Sequence, residues 1–356
     1  MLNRWIKRLT DTAVRSVIVA SAAGALYTAP SPAMAQTNMS ITIAQGGEGL
    51  GWFPAYVARE KGYFKDAHLD VKFVITPGGS EAAAAVVSGS ADFADAAHHA
   101  IRGQLKGYDF VLVANSVDQY AVMVVVSTEA MKKTGMHKGD PMSTVISKMK
   151  GLRIGISSPG SSTDMIMRAL FALNGMNGDR DATLIPFGTG GPMQAALETN
   201  QIDAFVFSSP FPELVQQKGK GEIMINLANG ELKQLSGYPY TGYFTTRKVI
   251  KEKPEAVQAF VDGIYRAELF IHEHPEEAVA VARKSFPDMD PTVLRQSVLN
   301  NIPAIPEYPI TSKAQIQTVM NWLKLSPQDR EKVPYSKLVD NSFAFHAIDT
   351  IGLQQP

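Results

Sequence analysis

GGSEAAAAVVSGSADFADA, residues 78–96, and GTGGPMQAALETNQIDAFVFSS, residues 188–209, share one pattern. Each opens on a glycine turn and continues into a run of helix formers. Each then reaches a residue that tolerates left-handed φ (Gly89, Asn200) and an aspartate that leads a strand (Asp92, Asp203). The spacing from Gly89 to Asp92 equals that from Asn200 to Asp203. Physically this is a helix stopped at a C-terminal cap, a short turn, and a strand carrying Ala and Phe into a sheet. Two such units in one chain predict two similar α/β lobes. Ligands of open α/β sheets bind beyond the carboxyl ends of the strands, beside helix N-termini. Two lobes can turn those ends toward each other across a cleft.

The alternation extends outward from both copies. MSITIAQG (39–46), VKFVITP (71–77), ADFADA (91–96) and FVLVANS (110–116) read as strands. PAYVAREKGYF (54–64), EAAAAVVSG (81–89) and HHAIRGQLKG (98–107) read as the helices between them. DQYAVMVVVS (118–127) leads into a polar stretch, residues 128–151. The alternation then restarts with LRIGISS (152–158), the helix within PGSSTDMIMRALFALNG (159–175), ATLIPFG (182–188) and IDAFVFSSP (202–210). From about Lys248 the chain is mainly helical. Strand and helix at this spacing predict mostly parallel sheets covered on both faces.

Residues 1–35 read as an export signal. Arg4, Lys7, Arg8 and Arg15 precede the apolar stretch SVIVASAAGALYTA (16–29), and Ala33-Met34-Ala35 is a cleavage signal with Gln36 as the mature start. The apolar run falls short of the ~20 residues a membrane span needs. Removing residues 1–35 takes away four basic residues and one acidic, leaving 30 basic against 33 acidic. That balance offers no basic surface for nucleic acid. The chain has no cysteine, which excludes disulfides, thiolate catalysis and cysteine metal sites. An export signal without disulfides fits a bacterial periplasm, since a chain this long buries an adequate core unaided.

The residues that carry a family resemblance are WFPAYVAREKGYFKDAHLDVKFV (52–74), GGSEAAAAVVSGSADFADA (78–96), MKGLRIGISSPGSSTD (149–164), ALETNQIDAFVFSSP (196–210) and LVDNSFAFHA (338–347). In this order they resemble the periplasmic solute-binding proteins of the nitrate/sulfonate/taurine class of ABC importers, whose domain is shared with thiamine-pyrimidine precursor binding proteins. The resemblance implies an α/β, type II periplasmic-binding-protein fold: two α/β lobes with a ligand cleft between them. The first lobe would take residues 36–122 and, mainly helical, 244–356, and the second residues 123–243. Crossings would fall at about 119–126 and 240–246, with closure on ligand by a hinge motion. The expected partners are a small-molecule ligand and the membrane permease of an ABC importer. The expected molecule is a monomer with no cofactor, no metal and no enzymatic activity.

SSPGSSTD (157–164) is the strongest binding element. A strand ends at Ile156, and Ser161, Ser162 and Thr163 stand where the next helix begins. Hydroxyls, unpaired N–H groups and the positive end of the dipole together make an anion pocket. Plain N-capping by a serine is the simpler alternative. The resemblance places ligand contacts here, Ser158 included. GGEGLGWFP (46–54) matches neither nucleotide-loop spacing, because Trp52 stands where a glycine is required. Trp52 and Phe53 are candidates for a hydrophobic or stacking wall, or for capping the lobe core.

In the second lobe Phe187, Thr189, Ser208 and Ser209 follow strand ends, with Ser208 and Ser209 set level with Asp95 and Ala96. Tyr243 near the returning crossing offers a ring and a hydroxyl. Asp95 and His98 lie past a strand's carboxyl end. His98 and His99 point about 100° apart on a helix, which does not suit one metal ion. No G-x-S-x-G elbow is present, and IHEHPEE (271–277) lacks the second histidine of a zincin helix.

The expected function is capture of a small organic anion, a sulfonate or carboxylate with an aromatic group as one option. A neutral or cationic heterocycle, with Glu48 and Asp95 as its partners, is the alternative within binding. A periplasmic enzyme using Asp95 and His98 as an acid/base pair is the competing class.

Overall fold

A computed structural model describes residues 39–352. The expected export signal lies outside the described residues. Among the described residues ten strands form two five-stranded sheets. In chain order they are β1 (Met39–Gln45), β2 (Leu69–Ile75), β3 (Phe93–Ala94), β4 (Phe110–Asn115), β5 (Met123–Ser127), β6 (Arg153–Ile156), β7 (Thr183–Pro186), β8 (Ala204–Phe207), β9 (Gly221–Asn226) and β10 (Gly242–Thr246). The first sheet has the order β2-β1-β3-β10-β4 and the second β7-β6-β8-β5-β9.

The two sheets match residue for residue. Thr42 faces Lys72 across β1 and β2, and Arg153 faces Thr183 across β6 and β7. Ile43 faces Phe93 as Ile154 faces Ala204. The helices α1 (Phe53–Glu60), α2 (Gly79–Ser88) and α3 (Ala97–Leu105) of the first sheet recur in order as α4 (Ser162–Leu173), α5 (Gly190–Glu198) and α6 (Phe211–Gln217) of the second, and the long helix α7 (Pro254–Glu273) follows β10. Past the ends of α2 and α5, Gly89 takes φ 75° and Asn200 φ 58°. The same closing bond follows in each copy, Ser90 N to Ala85 O at 3.0 Å and Gln201 N to Ala196 O at 2.8 Å.

The aspartates that lead these strands bond far along the chain: Asp92 Oδ2 accepts the N–H of Thr42 and Asp203 Oδ2 accepts the N–H of Arg153, each 50 residues back in sequence. Each carboxylate therefore ties the strand it leads to the neighbouring strand.

The sheets are mixed rather than mostly parallel. β1 pairs in parallel with β2 and β3, but β10 runs antiparallel between β3 and β4. β5 runs antiparallel between β8 and β9 in the same way. The antiparallel strand in each sheet is the one that follows a passage between sheets, so its direction is set by that passage and not by a βαβ unit. The polar stretch after β5 contains two short helices, Thr128–Thr134 and Met142–Lys148, whose lysines mostly face water. The predicted ADFADA strand shrinks to Phe93–Ala94, because Asp92 and Asp95 on either side are held by side-chain bonds to β1 and the loop after it.

The first sheet's core is closed by the long helix α7. Phe260 packs on Phe93 (4.9 Å between centroids), Tyr243 (5.0 Å) and Phe64 (5.7 Å). Fully burying side chains of this size contributes roughly 1.5–3 kcal/mol each, so the helical tail anchors this lobe.

Candidate functional site

The carboxyl ends of the two sheets face one cavity of about 20 Å3. The first lobe contributes Gly46, Trp52, Gly79, Asp95 and Ala96. The second contributes Ser157, Ser161, Ser162, Thr163, Phe207 and Ser208, and Tyr240 enters from the segment returning to β10. No lysine or arginine lines it.

The serine turn folds as its sequence dictates. Pro159-Gly160 ends the extended chain, and Ser161 caps α4 by accepting the N–H of Asp164 at 3.4 Å. Thr163 Oγ1 accepts the N–H of Ser157 at 2.8 Å and shares a hydroxyl contact with Ser161 at 2.9 Å. Asp164 turns back to accept Gly160 N–H at 2.7 Å and holds Arg168 at 2.7 Å. The first-turn N–H groups of a helix have no intrahelical acceptor, and Ser162 and Thr163 carry theirs at the cavity wall. Capping and binding coexist here, since different atoms do each.

Across the cavity Asp95 is 4 % exposed. Its Oδ1 accepts the N–H of Gly46 at 3.1 Å. Burial pushes its carboxyl up to about 6, opposed by that bond and by the nearby Trp52 indole. The residue after it, Ala96, holds φ 79° and ψ 110° at the start of α3, a conformation that L-residues rarely adopt. Backbone strain of this kind concentrates at binding sites.

The lobes are joined around the cavity. On one rim Ser158 Oγ donates to Glu81 Oε2 at 2.8 Å, Ser80 Oγ to Pro159 O at 3.2 Å, and Arg102 Nη1 to Gly160 O at 3.3 Å. On the other rim Leu50 N donates to Ser209 O at 2.8 Å, and Asn301 Nδ2 to Ser209 Oγ at 3.0 Å. A ligand larger than a few atoms enters only when these contacts part.

Six of the sequence candidates meet at the cavity: Trp52, Asp95, Ser161, Ser162, Thr163 and Ser208. The others stand elsewhere, each for a packing reason. Phe53 is 1 % exposed in the first lobe's core, because the first turn of α1 rotates it inward. Tyr243 is fully buried edge-on against Phe260. Phe187 packs against the small cluster of Phe207 and Phe211, and Thr189 precedes α5 as its N-cap residue. Ser158 and Ser209 join the lobes at the rims, with Ser209 Oγ also donating to Glu213 at 2.5 Å.

His98 lies behind the wall, where Nδ1 meets Tyr238 OH at 3.0 Å and its ring packs against that of His99, tilted by 41° with the centroids 4.1 Å apart. Burial, with neighbouring positive charge, holds both imidazoles below their ordinary value, His99 down to about 3. Neither is positioned as an acid/base partner of Asp95. Among the described residues no group of three or more His, Asp or Glu side chains is arranged to hold a metal ion.

The register of the second lobe also shifts an expectation. Because Thr42 corresponds to Arg153 and Asp92 to Asp203, the counterpart of Asp95 is Val206, and Ser208 corresponds to Ala97. Sequence reading missed Gly46, Gly79, Ala96, Ser157, Phe207 and Tyr240. Ser157 carried a signal as the first residue after a strand; Tyr240 carried none.

Residues 50–285 match the NMT1-like family. The chain belongs to that family. The YtlA protein of Bacillus subtilis (strain 168) is 21 % identical over 352 residues, 96 % of this chain and 98 % of its own. A solved protein of Bordetella bronchiseptica RB50 shares 26 % identity over 88 % of this chain and 98 % of its own, with a TM-score of 0.76. The alkanesulfonate-binding protein SsuA of Xanthomonas axonopodis pv. citri, solved bound to MOPS, shares 16 % identity with a TM-score of 0.64, over 86 % of this chain and 97 % of its own. The fold of this NMT1-like chain is the periplasmic-binding-protein fold of two α/β lobes.

Proposed function

We propose that this NMT1-like protein is the substrate-binding component of an ABC importer, exported to the periplasm, which captures a small organic anion between its lobes and delivers it to a membrane permease. One observation carries the reading. The strand ends of two matched lobes converge on a single cavity, whose second-lobe wall is the hydroxyl-rich start of α4. An acidic group at that wall gains N–H donors and the positive end of the helix. The two passages between sheets, residues 116–122 and 227–241, serve as the hinge. The alkanesulfonate-binding neighbour supports the class of ligand, and the membership of the NMT1-like family supports a carrier role. Among the described residues no helix is long and apolar enough to cross a membrane.

A thermal-shift screen of sulfonates and carboxylates tests the reading. A ligand at 100 times its Kd adds roughly 2.7 kcal/mol of stability. A binder recovered chemically unchanged supports a carrier, whereas turnover of the bound compound overturns it.

A further inference from the structure

A groove of about 410 Å3 lies between α2 and α3 of the first lobe and reaches Gly160 of the second. Hollows of several hundred Å3 are of the size that holds small organic molecules. Its walls are apolar. Ala83, Ala84 and Val87 come from α2, and Tyr108 from the loop that follows α3. Val87 and Tyr108 are each 43 % exposed, so the groove keeps large apolar side chains in water. The Tyr108 ring stacks on Phe110 with centroids 5.8 Å apart. Phe110 in turn lies flush against α3, because a Cβ on Gly103 would collide with its ring.

A pair of cations faces these walls. Arg102 and Lys106 stand one helical turn apart and both line the groove, which has no aspartate or glutamate in its lining. Among the described residues neither cation has a carboxylate partner. Arg102 Nη1 donates to Gly160 O at 3.3 Å, and the rest of its guanidinium has no acceptor in the chain. The carboxylates next in sequence to the lining are taken elsewhere: Glu81 accepts from Ser158 Oγ, and Asp109 pairs with Arg247 at 3.3 Å. The dipole of α3 favours cations at its end, where both stand. That does not explain an apolar hollow beside them.

We propose that this groove is a second ligand site, separate from the cleft, which takes an amphipathic organic anion: its acidic group meets Arg102 and Lys106, and its apolar body lies on Ala83, Ala84, Val87 and Tyr108. The chemistry divides accordingly. Arg102 is partly buried, so its bond to an anion is less screened than one at an open surface, and its planar fork suits a carboxylate. The apolar body gains by covering walls that now face water. A bare inorganic anion would use only the first of these contributions, and an uncharged analogue only the second.

Calorimetric titration at pH 7.5 with 3-phenylpropanoate and with its uncharged amide tests the site. The acid is expected to bind about tenfold or more tightly than the amide. Arg102→Gln combined with Lys106→Gln is expected to erase that preference, while Ser162→Ala, which alters the cleft wall and not the groove, is expected to keep it. No binding of the acid, equal binding of the amide, or a preference that survives the double variant overturns the proposal. A preference lost in Ser162→Ala also overturns it, because the acid would then sit in the cleft. If the double variant melts below the native protein, Lys106→Gln alone decides, since that lysine is exposed. It is expected to weaken the acid about threefold or more, and an unchanged affinity overturns the proposal. Failure here leaves the carrier reading standing, because the ligand of that reading occupies the cleft.

Discussion

Asp203 holds Arg153 at three points: it accepts the backbone N–H at 2.8 Å, Nε at 3.0 Å and Nη2 at 2.9 Å. The aspartate leads β8 and the arginine opens β6, so one carboxylate fixes the register of two parallel strands. The backbone bond is the part shared with the first lobe, where Asp92 holds Thr42 N–H at 2.9 Å and takes its ion pair from Lys253 instead.

Losing that carboxylate therefore strands a backbone donor at a strand start. Asp203→Ala is expected to lower stability by about 1–3 kcal/mol. Arg153→Ala should lower it by no more than about 1 kcal/mol, because the arginine is 43 % exposed and a surface ion pair is worth little. Urea melts of the two variants check this. Equal losses would contradict it.

Asp95 gives a pH signature. Its ordinary value of 3.8 rises to about 6 by burial, and the groups acting on it are Gly46 N–H, the Trp52 indole and its own backbone. A raised carboxyl means the folded state disfavours the charged form. Folding is therefore penalised above pH 6, and the penalty is relieved as pH falls from about 6 toward 3.8. Each pKa unit is worth about 1.4 kcal/mol, so the penalty at neutral pH is about 3 kcal/mol. Asp95→Asn is expected to melt higher than the native protein at pH 7.5, with the advantage shrinking as pH falls to 4. A constant or growing advantage would place the charge elsewhere.

Gly79 opens α2 directly against a histidine. A Cβ there would meet His99 Nε2 at 2.5 Å and Cδ2 at 2.9 Å. The ring is buried and packed against His98. Gly79→Ala is expected to destabilise by about 1–3 kcal/mol. A double-mutant cycle with His99→Ala should show coupling of the two sites; strict additivity would contradict the contact.

The rim bond from Ser158 to Glu81 belongs to the closed arrangement. Ser158→Ala removes it without touching the cavity lining. A bond from the buried Ser158 hydroxyl to a carboxylate at the partly exposed rim contributes on the order of 1 kcal/mol. Ligand dissociation in stopped flow is expected to quicken a few-fold while association changes little. An unchanged dissociation rate would remove this contact from the closure.

Much of this was legible in the sequence because local chemistry fixed it. Gly89 and Asn200 are residues of the kind a left-handed helix end requires, and both adopt positive φ. Ser161 could be read as a helix start because capping is a local event. What remained hidden depends on contacts distant in sequence. Trp52 and Phe53 are adjacent aromatics in a loop, and only the rotation of α1 decides that Trp52 meets the cavity while Phe53 enters the core. Tyr240 reaches the site because the chain returns there between sheets. Gly46 and Gly79 matter through close backbone approach, since a Cβ on Gly46 would lie 2.7 Å from Gly79 Cα. The echo of the two stretches sets Ser208 level with Asp95, while the strand pairing puts Val206 there.

The central claim is that one ligand is held between the two lobes, by Trp52 from the first and Ser162 from the second. Calorimetric titration of the native protein, Trp52→Ala, Ser162→Ala and Ser209→Ala with the tightest organic acid tests it most directly. The account predicts one-to-one binding, a loss of tenfold or more in affinity for each of the first two variants, native affinity within a few-fold for Ser209→Ala, and recovery of the ligand unchanged. Native affinity in both Trp52→Ala and Ser162→Ala, or conversion of the ligand to product, would contradict it.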